Sequence, residues 1–304
     1  MLAYRWGQTA YESDAALQLE KTGLEKIGFQ VLQNTQPDIP SHTDVLIVTS
    51  KQKVDQHLLD KLPQLKVILT TTSGYEHINV KQAHERDILV GRCPIARRDA
   101  VVDTSIAMGL SLVRNIPALH NRARSGIWAR GELPNRQLIR RKDLNVGLIG
   151  YGIIGRSAMR AWSDLGAKVR WHDPALLGSI PLEELLAQSD LCSLHCAHTP
   201  SSHNIINKES LKHIKENAIL INTARGKCID IEALFTAPHI GGIGLDVFPT
   251  EPPSMLNIYA QKENCILLPH AAGYHNLLGQ ELAQEVVDAL SLWKERQTLP
   301  HVVA

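Results

Sequence analysis

A glycine-rich stretch in the middle of the chain decides the fold: residues 146–156 are VGLIGYGIIGR. Gly150, Gly152 and Gly155 form a G-x-G-x-x-G pattern directly after a strand-like run that ends at Ile149, and a helix-like segment follows. The first glycine allows a tight turn, the second lets the backbone approach a pyrophosphate, and the third lets helix and strand pack closely. The pattern therefore predicts a βαβ unit that binds a dinucleotide at the N-terminus of a helix.

An acidic residue follows the next strand-like run. Asp173 comes after Gly150 at about the 20-residue spacing of the general pattern. A carboxylate at this position accepts hydrogen bonds from the adenosine ribose and repels the 2′-phosphate of NADP. Residues 174–177 (PALL) contain no cation that would offset it. The sequence therefore predicts NAD (NADH) as the cofactor.

Strand-like runs of apolar, β-branched residues alternate with helix-length segments along most of the chain. This alternation is typical of βαβ units, and the six runs between Val146 and Leu268 complete a dinucleotide-binding sheet. We therefore expect an α/β protein with a doubly wound parallel sheet, a Rossmann fold. The strand-like runs are residues 45–48, 67–69, 88–90, 146–149, 169–171, 191–194, 218–221, 243–247 and 265–268.

Three segments outside these runs are also informative. Residues 97–121 have the pattern of one long helix, and the Arg-rich stretch 122–142 after it is irregular. Near the C-terminus, apolar residues recur every fourth position over residues 277–293, which predicts an amphipathic helix.

Composition argues against several kinds of partner. The 304-residue chain has 32 Lys and Arg against 31 Asp and Glu, a net charge of +1. Without a block of like charge, neither nucleic acid nor an anionic membrane is favoured, and no apolar run approaches the ~20 residues of a membrane helix. The cysteines are five in number and scattered, and no secretion signal is visible, so we expect a cytoplasmic enzyme.

Three residues that could carry chemistry follow three strand-like runs of the same predicted sheet. They are Arg225, Glu251 and His270. In open α/β sheets, ligands bind at the carboxyl ends of the strands. Arg225 could hold the carboxylate of a 2-oxo acid and polarise its carbonyl, while His270 exchanges a proton and Glu251 orients the imidazole.

Several motifs together resemble those of the NAD-dependent D-isomer specific 2-hydroxyacid dehydrogenases. GLIGYGIIGR, INTARG, GLDVFPTEP and LPHAAGY occur in that family's order, and TTTSGYEHIN and VVDTSIAMGLSLVRNIP precede them. The resemblance runs from about Thr70 to about the end of the chain. It implies a cofactor domain, residues 97–274, inserted into a smaller flavodoxin-like substrate domain made of residues 1–96 and 275–304.

The resemblance also implies roles for individual residues. Arg225, Glu251 and His270 take the catalytic positions, and the enzyme would reduce a small 2-oxo acid to the D-2-hydroxy acid, reversibly, with His270 as acid and base. The substrate carboxylate would be bound by Arg225 and by backbone N–H groups of a loop. That loop consists of Ser73, Gly74 and Tyr75. Besides the three glycines and Asp173, the cofactor contacts would be Ile153, Ile154, His195, Thr223 and Asp246.

The resemblance further implies a homodimer formed through the cofactor domain, with the helix after Arg97 as the candidate interface. Two of the positions that depart from the family pattern bear on cofactor binding and local geometry. Ile153 stands where a basic or polar residue is common, and Ala197 replaces the usual proline. Neither change removes a catalytic group.

Alternative functions remain open. The same fold serves as an NAD-sensing module in the family's corepressor relatives, and some members of the superfamily act on phosphite or formate. A metal site is disfavoured, because no second cysteine pair completes a tetrahedral set with Cys192, His195, Cys196 and His198.

Overall fold

The computed structural model describes residues 1–34, 38–254, 256–259 and 261–303. Its contacts divide the chain into two compact units. The first unit comprises Met1–Arg97 and Tyr274–Ala304, and the second comprises Arg98–Gly273. Both ends of the chain thus form the first unit, and the sequence of the second is inserted between them.

The strands form two parallel sheets, one in each unit. Those of the first unit are β1 (Leu2–Trp6), β2 (Gln30–Asn34), β3 (Val45–Val48), β4 (Val67–Thr70) and β5 (Leu89–Arg92). Those of the second are β6 (Asn145–Ile149), β7 (Lys168–His172), β8 (Leu191–Leu194), β9 (Ile219–Asn222), β10 (Gly242–Leu245) and β11 (Cys265–Leu267).

The α-helices alternate with these strands along the chain. In chain order they are α1 (Asp14–Lys26), α2 (Gln56–Asp60), α3 (Val80–His84), α4 (Ile95–Val113), α5 (Ile116–Arg124), α6 (Ile153–Asp164), α7 (Leu182–Gln188), α8 (Ile231–Thr236), α9 (Leu256–Tyr259) and α10 (Leu278–Arg296). The predicted α/β class with doubly wound parallel sheets is confirmed.

The first unit has the strand order β2-β1-β3-β4-β5, which is the flavodoxin-like order. Its central strands β3 and β4 are buried along their whole length. A strand covered on both faces needs a continuous apolar run, which explains why VLIV and VIL stand out in the sequence. Helices α1, α2 and α3 each begin at a side chain that accepts a backbone N–H, namely Ser13, Asp55 and Asn79.

Helix α10 completes the core of the first unit. Its four-residue apolar stride is fully buried, as the sequence pattern predicts, and packs against apolar residues of α1 and the sheet. The buried members of this stride are Leu278, Leu282, Val286, Leu290 and Trp293.

The second unit has the strand order β11-β10-β9-β8-β6-β7. Strand β6 lies between β7 and β8. The chain therefore adds β7 on one side of β6 and then returns to add β8 and the later strands on the other side. The glycine-rich stretch begins where β6 ends, and this reversal point is where doubly wound sheets bind ligands.

The long helix predicted over residues 97–121 is wrong in one respect, because the structure breaks it into α4 and α5. The break lies at Asn115, whose φ of 52° is left-handed, and Pro117 enters the first turn of α5. Proline cannot continue the hydrogen bonding of the preceding helix, whereas asparagine tolerates the left-handed conformation better than most residues. The stretch 122–142 contains two 3₁₀ segments, Ala129–Asn135 and Arg141–Asp143. Within the described ranges, no helix is both long and apolar enough to cross a membrane.

Candidate active site

The glycine-rich stretch forms a close-packed turn with an open centre. Gly150 has a φ of 96°, and a Cβ there would lie 2.5 Å from the backbone nitrogen of Cys196. A Cβ on Gly155 would lie 2.2 Å from the carbonyl oxygen of Gly150, whereas one on Gly152 would meet nothing within 4 Å. Gly152 is also the N-cap residue of α6, and it provides no side-chain cap. The turn therefore leaves space and unsatisfied N–H groups where a pyrophosphate is expected.

Ile153 and Ile154 are the first residues of α6. Ile153 presents no polar side chain to a phosphate, so any contact it makes there is through the backbone. Ile154 packs partly buried against the apolar core of this unit.

Asp173 lies at the end of β7 and faces the glycine turn. One carboxylate oxygen accepts the backbone N–H of Tyr151 at 2.9 Å, and the other accepts that of Ala175 at 3.3 Å. The Tyr151 ring stacks on Trp171 with centroids 4.2 Å apart. The acid is thereby fixed beside the turn while keeping lone pairs for the ribose hydroxyls that the sequence predicts as its partners.

Two polar atoms near this turn are buried without a partner in the described structure: Nδ1 of His195 and Oγ1 of Thr223. The other ring nitrogen of His195 contacts Ser193 Oγ at 3.0 Å. Burial lowers the pKa of His195 to about 4, so its ring is neutral at neutral pH. Buried polar atoms without partners are costly, which favours a polar ligand beside them. The open Gly152, the N-terminus of α6 and these two atoms fit a dinucleotide.

The three candidate catalytic residues follow three neighbouring strands. Arg225 comes after β9, Glu251 after β10 and His270 after β11, and these strands are adjacent in the sheet. The cofactor half of the same edge is formed by β6, β7 and β8. Arg225, Glu251 and His270 therefore follow one another along this edge of the sheet in the same order as in the sequence.

Glu251 and His270 are in direct contact. Nδ1 of His270 lies 2.7 Å from Oε2 of Glu251, and Oε1 of the same carboxylate accepts the backbone N–H of Phe248 at 3.0 Å. The His270 side chain is 55% exposed, which leaves Nε2 accessible to a substrate. Glu251 therefore fixes the tautomer of His270, with Nδ1 protonated.

Asp246 holds the segment that carries His270. Its two carboxylate oxygens accept the backbone N–H groups of Ala271 at 2.7 Å and Ala272 at 3.0 Å, and its carbonyl accepts that of His270 at 2.8 Å. The side chain is 1% exposed. Sequence reasoning assigned Asp246 a contact with the cofactor and missed this structural role. That cofactor contact stays a prediction.

Arg225 is presented by a turn that two further residues build. The side chain of Asn222 accepts the N–H of Ala224 at 3.0 Å and donates to the carbonyl of Arg225 at 2.9 Å. A Cβ on Gly226 would lie 1.9 Å from the carbonyl carbon of Phe248, so only glycine lets this turn approach the segment that bears Glu251. Sequence reasoning missed Asn222 and Gly226. Both residues belong to the INTARG motif that contains Arg225, and their place in that motif could have identified them.

The predicted substrate loop follows β4 in the first unit. The carbonyl of Ser73 accepts from Arg92 at 3.1 Å, that of Gly74 from Thr72 Oγ1 at 2.7 Å, and that of Tyr75 from the N–H of Ile78 at 2.9 Å. In the described structure, the N–H groups of Ser73, Gly74 and Tyr75 have no acceptor. Three consecutive N–H groups without an acceptor are the kind of donors that a bound carboxylate would require.

A metal site is a separate question. Among the described residues, no three His, Cys, Asp or Glu side chains cluster closely enough to hold a metal ion. All five cysteines are free thiols, and the sulfurs of Cys196 and Cys228 lie 3.8 Å apart.

A parallel sheet with a dinucleotide turn on one half of its carboxyl edge and an imidazole–carboxylate pair on the other is the arrangement of a nicotinamide-dependent dehydrogenase. A family model described as "D-isomer specific 2-hydroxyacid dehydrogenase, NAD binding domain" matches residues 106–272. The chain belongs to the D-isomer specific 2-hydroxyacid dehydrogenase family, and it is an oxidoreductase that uses NAD(H).

Relatives extend the similarity over most of the chain. A glyoxylate reductase of Thermococcus litoralis is 31% identical over 276 residues, which cover 86% of this chain and 83% of that protein. A hydroxypyruvate reductase of Thermotoga maritima is 30% identical over 291 residues, or 91% and 94% of the two chains. Among solved structures, the D-lactate dehydrogenase of Aquifex aeolicus complexed with NAD and lactic acid has a TM-score of 0.79 at 25% identity. That match covers 100% of this chain and 99% of the other.

Proposed function

We propose that this enzyme reduces a small 2-oxo acid to the D-2-hydroxy acid with NADH, and that Arg225, Glu251 and His270 are its catalytic residues. The observation that carries the proposal is the 2.7 Å contact between His270 and Glu251 at the sheet edge that also presents the glycine turn. A proton donor beside a nicotinamide site is what reduction of a carbonyl requires.

His270 delivers the proton. Its Nδ1 donates to Glu251, so Nε2 is the atom that protonates the carbonyl oxygen of the substrate. The carboxylate of Glu251 orients the imidazole for that transfer by accepting the hydrogen bond from Nδ1. In the reverse direction, Nε2 takes the proton from the 2-hydroxyl group. NADH, when bound, supplies the hydride that is added to C2.

Arg225 binds and polarises the substrate. Its planar guanidinium can contact both the carboxylate and the 2-oxo oxygen, which stabilises charge that develops on that oxygen. We assign the remaining carboxylate contacts to the N–H groups of Ser73, Gly74 and Tyr75. The first unit would accordingly be the substrate domain.

The second unit would bind the cofactor. Gly150, Gly152 and Gly155 shape the turn, and the backbone of Ile153 and Ile154 at the start of α6 would contact the pyrophosphate. Asp173 would accept the ribose hydroxyls. The other proposed contacts are His195, Thr223 and Asp246, which line the same edge of the sheet.

The substrate is proposed to be small. Relatives over most of the chain include a glyoxylate reductase and a hydroxypyruvate reductase, whose substrates have two or three carbons. We therefore rank glyoxylate and hydroxypyruvate ahead of branched or aromatic 2-oxo acids.

We propose further that the enzyme is a homodimer through the second unit. The segment from α5 to the following 3₁₀ turn exposes three large apolar side chains: Ile116 at 52%, Ile127 at 43% and Trp128 at 84%. Apolar residues clustered on an exposed segment support a protein interface there. The cytoplasmic location stays a prediction.

The test is NADH oxidation, followed by absorbance, with glyoxylate, hydroxypyruvate, pyruvate, 4-methyl-2-oxopentanoate and phenylpyruvate. Phosphite and formate are included with NAD. We expect turnover with the two smallest substrates, and its loss in Arg225→Ala while NADH binding is retained. NADH binding without turnover on any 2-oxo acid would contradict the proposal and favour an NAD-sensing module.

A further inference from the structure

The loop of Ser73, Gly74 and Tyr75 is asymmetric in its hydrogen bonding. All three carbonyls accept a hydrogen bond within the first unit, whereas the three N–H groups have no acceptor in the described structure. Gly74 is buried. Burying an unpaired N–H is unfavourable, so its orientation must be imposed by the groups that hold the carbonyls.

Arg92 holds the first of these carbonyls. The residue ends β5 and is paired across the sheet with Thr70, the last residue of β4. Its side chain extends along the loop, where Nη1 donates to the carbonyl of Ser73 at 3.1 Å. The guanidinium carbon also lies 6.0 Å from the centre of the Tyr75 ring.

The Arg92 side chain has no acidic partner in the part of the chain that the structure describes. The carbonyl of Ser73 is the one hydrogen-bond acceptor found there for its guanidinium. A partly buried arginine commonly pairs with a carboxylate. Arg92 instead donates its hydrogen bond to a carbonyl of the loop. Its positive charge also strengthens the hydrogen bond that it donates.

Thr72 holds the second carbonyl. Its hydroxyl donates to the carbonyl of Gly74 at 2.7 Å and is also 2.8 Å from the hydroxyl of Thr70. The loop is therefore fixed at two successive peptide units by a guanidinium and a hydroxyl.

Because each peptide unit is planar, these two contacts also fix the direction in which the N–H groups point. In a trans peptide the carbonyl and the N–H of one unit point in opposite directions. The carbonyl of Ser73 belongs to the same unit as the N–H of Gly74, and the carbonyl of Gly74 to the same unit as that of Tyr75. We propose that Arg92 and Thr72 are positioning residues that aim these two N–H groups at the substrate carboxylate.

This inference rests on the proposed function and deepens it. Neither side chain needs to touch the substrate, because each acts through the peptide unit whose carbonyl it binds. Charge on Arg92 also polarises the Ser73–Gly74 peptide, which makes its N–H a better donor to an anion. The loss of either residue should weaken carboxylate binding and leave the hydride and proton steps intact.

The experiment measures binding of oxamate, a non-reacting analogue of a 2-oxo acid, to the enzyme saturated with NADH. The variants are Arg92→Met, which keeps the aliphatic stem, Thr72→Val, which keeps the shape, and Thr72→Ser, which keeps the hydroxyl. Arg86→Met is the matched control, since Arg86 pairs with Asp60 on the surface of the same unit. KM and kcat for the best 2-oxo acid and Kd for NADH are measured alongside.

We expect oxamate to bind about tenfold more weakly to Arg92→Met, because a charge-assisted hydrogen bond is lost. Thr72→Val should lose about threefold, the effect of one neutral hydrogen bond, and Thr72→Ser should recover wild-type binding. KM should rise in parallel while kcat changes little, the pattern of lost uniform binding. NADH affinity should not change in any variant, and Arg86→Met should match the wild type throughout.

Unchanged oxamate binding in both Arg92→Met and Thr72→Val would overturn the inference. So would a parallel loss of NADH affinity without recovery in Thr72→Ser, because the two side chains would then support the fold alone. A wild-type enzyme that binds NADH but neither binds oxamate nor reduces any 2-oxo acid would refute the proposed function itself.

Discussion

His270 has a φ of 55°, a left-handed conformation that few residues other than glycine adopt. Asp246 maintains it by accepting the two N–H groups that follow in the chain. The imidazole is thus fixed twice, through its backbone by Asp246 and through Nδ1 by Glu251. Strain of this kind is typical of residues whose direction matters for function.

Replacement of the Glu251 carboxylate tests the proposed catalytic pair. Glu251→Gln keeps the size of the side chain but removes the charged acceptor of the hydrogen bond from Nδ1 of His270. We expect kcat to fall roughly 100-fold, the scale of general acid–base catalysis, while Kd for NADH is retained. Steady-state kinetics and fluorescence titration measure the two quantities. Glu232→Gln, an exposed acid of the same unit, is the control, and equal activity in both variants would refute the role of Glu251.

The proposed role of Asp173 is to determine which cofactor is used. Removing its carboxylate in Asp173→Ala eliminates repulsion of a 2′-phosphate and the hydrogen bonds to the ribose, so we expect kcat/KM to fall with NADH and to rise with NADPH. The ratio of the two values is the measurement. Asp164→Ala, at the exposed end of α6, should leave that ratio unchanged. A ratio that does not move in Asp173→Ala would contradict the assignment.

Strands and helices were predicted well where the apolar pattern of the sequence matches the burial of the segment. The strand-like runs are observed as strands, and those at β3, β4, β8, β9 and β10 are apolar segments buried along their whole length in a parallel sheet. The edge strands β7 and β11 are partly exposed. The helix over residues 97–121 was wrong because apolar periodicity continues past Asn115, although Pro117 signals the break. Contacts such as Arg92 with Ser73, or Gly226 with Phe248, join positions 19 and 22 residues apart, and no local pattern specifies them.

Helix α1 and strand β1 enclose a charged cluster of Arg5, Glu12 and Glu20, each at most 3% exposed. Arg5 forms ion pairs with both acids. Burial outweighs the attraction of Arg5 and raises the pKa of Glu20 from 4.5 to about 7. Two acids against one cation leave the cluster with excess negative charge when Glu20 ionises.

The stability of the first unit should therefore depend on pH through Glu20. Because its pKa is raised on folding, Glu20 favours the folded state fully below about pH 4.5, and this contribution is lost as the pH rises through 7. Glu20→Gln cannot ionise, so its stability relative to the wild type should increase by on the order of 3 kcal/mol between pH 4.5 and pH 8. Urea unfolding at both pH values measures the difference in unfolding free energy between the variant and the wild type. Glu25 lies on the exposed face of α1. An equal pH-dependent increase in the relative stability of Glu25→Gln would contradict this explanation.

At the scale of the whole molecule, the sequence motifs identified the family because they lie at the ends of successive strands of one sheet. Composition carried less information, since a net charge of +1 and scattered cysteines fit many enzymes. The proposed subunit interface is the property least accessible from sequence, because it depends on side chains that one chain leaves exposed.

The proposed homodimer is tested at Trp128. A glutamate in Trp128→Glu places a charge on the exposed apolar segment, and we expect sedimentation velocity to show a shift from dimer to monomer. Leu177→Glu is the control, because Leu177 is fully exposed on the same unit but outside that segment. A dimer that persists in Trp128→Glu, or a wild-type monomer, would contradict the proposed interface.

The proposed reduction of a 2-oxo acid is tested most directly by isotope transfer from NADH deuterated at the reactive C4 position. The enzyme is incubated with hydroxypyruvate, and the product is examined by mass spectrometry and chiral chromatography. We predict the D-2-hydroxy acid with deuterium at C2. NADH binding without product, or a product of the L configuration, would contradict this prediction.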